Sequence, residues 1–268
     1  AAGGAGSQKL AIAGAVSITE MNNTVTAEIS NGSDVSVDDE VVVEAKDTTK
    51  AVNLAGGLSF SSKGSLGAGV GANLQENTVT ALIDSSSVSS GTEGLYVLAT
   101  AENALVNISV GGSGATKFAL GGALSINELK NTIDASISNS IGANGLNVSS
   151  GGDVQVSASD ASTVVAVAGG GAGSGKLAVG VSLSTTVTEN AINSTVDGVS
   201  LTSTGGSIEI VSGITPPDLP VDLSPLGLSV DELPEEVDLD SQIITVTLAG
   251  SGSGSNAAAG VISLNWLK

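Results

Sequence analysis

The sequence predicts an all-β fold, a flattened β-solenoid built from repeats of about 54 residues, and three observations predict it. A lysine and an asparagine recur together fourteen residues apart, at Lys9/Asn23, Lys63/Asn77, Lys117/Asn131 and Lys176/Asn190, and the lysines are spaced by 54, 54 and 59 residues. Between each lysine and its asparagine, residues alternate with period two, which is the period of a strand and not of a helix. Aromatic residues make up 1% of the chain against 37 glycines, so there is little bulk for a globular core and small residues must pack closely.

Each repeat reads as the same series of strands. A Gly-rich turn (GGAGSQK, FSSK, GGSGATK, GAGSGK) leads into an alternating strand. In the first copy Leu10, Ile12, Gly14, Val16 and Ile18 share one face, and Ala11, Ala13, Ala15 and Ser17 share the other. The third and fourth copies repeat this, with Phe118, Leu120, Leu124 and Ile126 and then Leu177, Val179, Val181 and Leu183 on the large face. The large face is expected to form the core. The face of Gly, Ala and Ser is either a carpet for close approach of another sheet or a solvated surface.

The recurring asparagine opens a second strand (NTVTAEIS, NTVTALID, NTIDASIS, NAINSTVD), and a strand of the type EVVVEA, GLYVLA, GDVQVSA or GSIEIVS follows. The repeats span 1–52, 53–106, 107–165 and 166–213, and 241–268 form a partial fifth with Ser255 at the lysine position. If repeats stack rung on rung, Asn23, Asn77, Asn131 and Asn190 form a ladder of side-chain amides. Asparagine also favours the turn backbone, and both roles can hold together. Two narrower rungs per repeat fit the same period. A roll of long antiparallel hairpins is the alternative fold, because a Gly-rich turn between strands can close a hairpin.

Gly170-x4-Gly175-Lys176 looks like most of a phosphate-binding loop. The next residue should be Ser or Thr, to hold magnesium, and a helix should follow. Here the residue is Leu177 and a strand pattern follows. The stretch is one copy of the repeated turn.

All five prolines lie in a segment at 214–240 that interrupts the pattern, together with an acid group at Asp231, Glu232, Glu235 and Glu236. Proline cannot donate to a ladder, so the segment reads as an arm leaving the repeats. Its regular Leu219, Leu223, Leu226 and Leu228 are candidate assembly contacts, as are Leu264 and Trp266 near the last residue. A solvated acidic loop is the other reading of the arm.

Composition narrows the chemistry. There is no Cys, His or Arg, and the net charge is −19. Thiol and imidazole catalysis, the usual zinc sites and a basic nucleic-acid surface are thereby removed. No apolar run is long enough for a membrane span. Catalytic, cofactor and metal-ligating residues are expected to be none. Calcium is the single ion the acids could take, at Asp34, Asp38, Asp39 and Glu40 or on the arm, but no EF-hand or nonapeptide array is present. Asn-x-Ser/Thr sequons at Asn22, Asn31, Asn107, Asn147 and Asn193 arise readily in so polar a chain. Paired threonines (Thr24/Thr26, Thr78/Thr80) that could suggest an ice-binding rank give way to Thr132/Asp134 and Ala191/Asn193.

The unit K-x-A-x-G-x-x-x-S-x-x-x-x-x-N-T-V-T-A-x-I, followed by G-x-V-x-V-x-A, resembles repeats of very large bacterial surface proteins, the haemagglutinin- and leukotoxin-like adhesins. It covers the four repeats and not the arm. The resemblance implies an exported, elongated scaffold on a bacterial surface, with no catalytic residue. The expected function is a non-catalytic extracellular filament or fibre segment. Neither end shows a polar cap, so the expected partner is a further copy, head to tail, or the flanking repeats of a longer chain. The alternative is an adhesin module that binds a glycan or a protein.

Overall fold

The computed structural model describes residues 1–139, 142, 146–215 and 243–268. The arm, with Leu219, Leu223, Leu226, Leu228 and its acids, lies outside the described residues. The described chain is all strand and connection, in five turns. The first turn comprises β1 (Ala2–Ser7), β2 (Leu10–Ile29), β3 (Asp34–Ser36) and β4 (Val41–Asp47). The second comprises β5 (Lys50–Ser61), β6 (Gly64–Asp84), β7 (Ser87–Ser90) and β8 (Leu95–Ala101). The third comprises β9 (Ala104–Ala115), β10 (Phe118–Ser138), β11 (Asn147–Ser150) and β12 (Val154–Asp160). The fourth comprises β13 (Thr163–Ser174), β14 (Leu177–Asp197), β15 (Ser200–Ser203) and β16 (Ile208–Ile214), and β17 (Ile243–Ser253) and β18 (Asn256–Leu267) belong to the fifth.

Each strand pairs in parallel with the equivalent strand of the next turn. This makes four sheets: sheet I in the order β1-β5-β9-β13-β17, sheet II β18-β14-β10-β6-β2, sheet III β15-β11-β7-β3 and sheet IV β16-β12-β8-β4. The antiparallel hairpin roll is excluded, since the two strands flanking each Gly-rich turn enter different sheets and every registered pair is parallel. Partners such as Leu10 and Gly64 are a full 54-residue repeat apart, so each repeat makes one wide turn and not two narrow ones. The longer third repeat takes up its extra residues between β10 and β11: the register offset is 54 at Ser138↔Asp84 and 60 at Val148↔Val88.

The expected core face is inverted in the first half of sheet II. Leu10, Ile12, Val16 and Ile18 are each at least 60% exposed, while Ala11, Ala13 and Ala15 are at most 8% exposed. Phe118, Leu177 and Val181 also face outward, and Ala119, Ala178, Ser182 and Ser184 are buried. The reason lies at the tip. Only two residues join β5 to β6 (Ser62, Lys63), and the other four tips are equally short. Four of the five tips are closed by a serine. Ser61 Oγ accepts from the backbone N–H groups of Lys63 and Gly64 at 3.1 and 3.2 Å, and Ser7, Ser174 and Ser253 act alike. So tight a turn brings sheets I and II almost into backbone contact, against about 10 Å for ordinary stacked sheets. A methyl group on Gly67 would overlap the carbonyl of Gly112, and one on Gly111 the carbonyl of Gly122. Only Gly, Ala and Ser fit between, and period two then sends every large residue outward. The carpet of small residues does receive another sheet, within the same molecule.

Sheet I and the first half of sheet II thus form a thin blade. Beyond it the chain opens into a thicker body. There the second half of sheet II faces sheets III and IV across a conventional aliphatic core that includes Val79, Ile83, Leu95, Val97, Ile133 and Val156.

A β-carbon should be intolerable inside the blade and harmless outside it. We expect Gly111→Ala to lower stability by about 1–3 kcal/mol through overpacking. Gly171→Ala, at a glycine with open space around it, should leave the thermal midpoint unchanged. Thermal unfolding followed by circular dichroism compares the two.

Candidate functional site

The structure sets Asn23 opposite Asn77, Asn77 opposite Asn131 and Asn131 opposite Asn190 in sheet II. They stand where the blade meets the body, and Asn77 and Asn131 are fully buried. Their side-chain amides meet at 2.7 Å. Asn77 Nδ2 donates to Asn131 Oδ1, and Asn77 Oδ1 accepts from Gln75 Nε2 at 2.9 Å. Asn131 Nδ2 donates to Asp160 Oδ2 at 3.1 Å and to Ser162 Oγ at 3.2 Å. Asn23 Nδ2 donates to Thr49 Oγ1 at 2.7 Å. The ladder is therefore tied across the interior to the corner between sheets IV and I. Two interior carboxylates, Asp47 and Asp160, receive these donors, together with Thr49 Oγ1 and the backbone N–H of Ser162.

A second set of asparagines, missed in the sequence reading, braces sheet I against sheet II. Asn53 Nδ2 of β5 donates to the carbonyls of Ser17 and Ala72 at 3.0 and 2.7 Å. Asn107 Nδ2 of β9 donates to Ile126 O at 3.1 Å, and Asn73 Nδ2 of β6 donates back to Val106 O at 3.3 Å. For Asn73 the signal was present as N-x-x-x-N in ANLQENT. Asparagines four apart in a strand share a face, so Asn73 stands on the same face as Asn77.

This seam joins and spaces the two halves of each turn. It offers amides, hydroxyls and two carboxylates that already have donors, and among the described residues no group of three or more Asp or Glu side chains is placed to hold a metal ion. Asp34, Asp38, Asp39 and Glu40 are exposed or on an exposed turn. Leu264 and Trp266 of β18 lie on the outer face of sheet II, in register with Thr185 and Val187, and are 43% and 47% exposed. The lysine of the phosphate-loop lookalike, Lys176, sits in the two-residue tip between β13 and β14, and its N–H bonds Ser174 Oγ. Parallel strands in two different sheets flank it, and no helix.

One surface carboxylate ties two turns together. Asp153 Oδ1 accepts from the backbone N–H and the hydroxyl of Ser207 at 2.7 and 2.9 Å. The backbone hydrogen bond first, then the hydroxyl, hold its carboxyl below the ordinary value of 3.8. Its contribution to stability is therefore complete above the ordinary carboxylate pKa and is lost as pH falls through the lowered one. On the opposite sign, Lys130 is held above its ordinary value by its hydrogen bond and charge interaction with Glu76, 3.1 Å away.

Two predictions follow from these contacts. Asn131→Leu, which keeps the branching but no polar atom, strips Asp160 and Asn77 of partners and should cost about 1–3 kcal/mol in a denaturant titration. In a carboxyl-observed NMR titration Asp153 should lose its proton below the ordinary range, and Ser207→Ala should return the midpoint only part of the way, because the backbone N–H remains. Comparison with family models, with curated proteins and with solved structures found no match to the chain, so the resemblance to haemagglutinin- and leukotoxin-like repeats rests on the repeat residues alone.

Proposed function

We propose that the chain is a length of β-solenoid serving as a non-catalytic extracellular scaffold, part of a filament or fibre on a bacterial surface. The observation that carries this reading is the unbroken register. Residue i stands on its equivalent in the next turn through all four sheets. Such a stack has no built-in limit: among the described residues β1 and β17, β2 and β18, β3 and β15, and β4 and β16 are the outermost strands of their sheets. Their free N–H and C=O groups can accept another parallel strand. A further copy docked head to tail, or further repeats of the same chain, would extend every sheet in the same way.

A second reading, an adhesin module for a glycan or a protein, draws on Trp266 and Leu264, which stand exposed on an outer sheet face.

Negative-stain electron microscopy across a concentration series tests the first reading. Uniform fibres that lengthen with concentration are expected. Short rods of one length at every concentration would sink head-to-tail assembly and turn attention to what the rod binds.

A further inference from the structure

The charge of the molecule is divided along its strands. The blade, residues 1–19, 51–73, 105–127, 164–186 and 243–265, holds Lys9, Lys63, Lys117 and Lys176 and no Asp or Glu. All 27 acidic residues and the other four lysines lie elsewhere. The blade lysines form one row along the tip. All are exposed, and their backbones are linked from turn to turn: Lys117 N–H donates to Lys63 O at 3.2 Å, and Leu177 N–H to Lys117 O at 3.0 Å.

Cations stacked at about 4.8 Å repel one another. The rest of the fold avoids that situation. In every registered strand pair that places a carboxylate, its partner is neutral or a lysine. The tip row, by contrast, stacks like on like.

A matching row lies at the other end of the same outer face. Where the blade joins the body, each of the first four turns presents one outward glutamate on sheet II, Glu20 and Glu128 at one position and Glu76 and Glu189 two residues further along, where Lys130 stands between them. A shallow depression there is lined by Glu20, Glu76, Glu128 and Lys130. The fifth turn keeps neither the tip lysine nor an outward glutamate, and Lys268 stands opposite Glu189. Ser255 replaces the tip lysine, and Trp266 stands at the position of Glu20. Lysine and glutamate of one turn are eleven to thirteen residues apart, roughly 36–43 Å along the strand. No contact within one molecule can couple them.

Between the two rows lies the exposed apolar lane that begins at Leu10, Ile12, Val16 and Ile18. Five strands wide and nine residues long, it covers about 24 by 30 Å, roughly 700 Å². A standard interface buries about 800 Å² per partner, so the lane is of the right size for a stable two-fold dimer. The charges choose the axis. A two-fold along the strands would set tip lysines on tip lysines. A two-fold along the stacking direction sets each tip row over the partner's glutamate row, turn by turn, and brings the Val16 ridge beside the trough at Gly14. A bilayer fits less well, because edge strands would take unpaired backbone groups into hydrocarbon.

We propose that the outer face of sheet II is a two-fold interface with a second copy of this chain, in which the tip lysines of each copy meet the glutamates at the blade base of the other. The contact is lateral, and it goes beyond the head-to-tail stacking proposed above.

Sedimentation of the wild-type chain should show a dimer that weakens with salt. Lys9→Glu with Lys117→Glu, and separately Glu20→Lys with Glu128→Lys, should each weaken self-association at least tenfold, with the circular dichroism unchanged. An equimolar mixture of the two variants should restore the dimer. As an independent measurement, the chain has no cysteine, so Lys9→Cys with Glu20→Cys should oxidise to a covalent dimer that no intramolecular bridge can mimic. A wild-type monomer, a dimer indifferent to both charge reversals, or no crosslink would overturn the proposal. So would a monomer that co-sediments with vesicles of anionic lipid in a manner abolished by the lysine reversals. Head-to-tail growth does not depend on these charges, and its loss would leave the dimer in place.

Discussion

The distance between sheets I and II governs most of the molecule. Two-residue tips hold the sheets so close that the carbonyl of one backbone occupies the space of a β-carbon on the other. The interior of the blade can then be only glycine, alanine and serine, and the alternation of the strands fixes what stands outside. The asparagine seam follows from the same constraint. Where the sheets part, the gap is too wide for alanine and lies beside carbonyls that can accept further hydrogen bonds. Asn53, Asn73 and Asn107 fill it and donate across it. Past the seam the gap reaches ordinary core width, and valine, leucine and isoleucine take over.

Stacking equivalent residues helps some side chains and harms others. Apolar residues and amides gain from meeting their own kind, whereas charges lose. The sequence departs from strict repetition where charge requires it. Glu20 and Glu128 flank Leu74, Asp47 and Asp160 flank Ala101, and Lys130 lies between Glu76 and Glu189. Exposed pairs such as Lys46–Glu102, at 2.7 Å, add about 0–1 kcal/mol each. Their larger effect is on register, because a one-residue slip would put these charges on the wrong face.

The repeat length, the parallel-compatible strand order and the residues that stack were legible in the sequence, because repetition of Lys-x13-Asn reports which positions are equivalent without any assumption about energy. The two faces of the first long strand were legible as well. Which face is buried was not. Period two distinguishes the faces and is silent on which points inward, and the expectation that large apolar residues go inside assumes a core wide enough to receive them. The width was set by S-x-K turns whose serine closes a two-residue tip, a local feature that the glycine-rich composition obscured. The bracing asparagines were hidden because they recur in only some turns: Asn53 and Asn107 give way to Ala166, and Asn73 stands opposite Thr19. Of the assembly candidates, Leu264 and Trp266 stand on an outer face, and those on the arm fall outside the described residues.

With the blade inverted, the two proposed directions of association would reinforce each other. Axial pairing uses backbone groups at the sheet edges and is indifferent to side-chain charge. Lateral pairing uses the outer side chains, and each added turn contributes another strip of apolar lane and, where lysine and glutamate occur together, another pair of opposed charges. In a repeat structure such contributions are approximately additive per turn. Lateral affinity therefore rises steeply with stack length, since contacts after the first form within an assembly already held together. A stack of four or five turns sits near the area at which a dimer becomes stable, and a longer stack lies well beyond it. On the proposed scheme axial growth would turn a weak lateral contact into a durable one, and the lateral contact would in turn cover the apolar surface that the narrow blade interior forces outward.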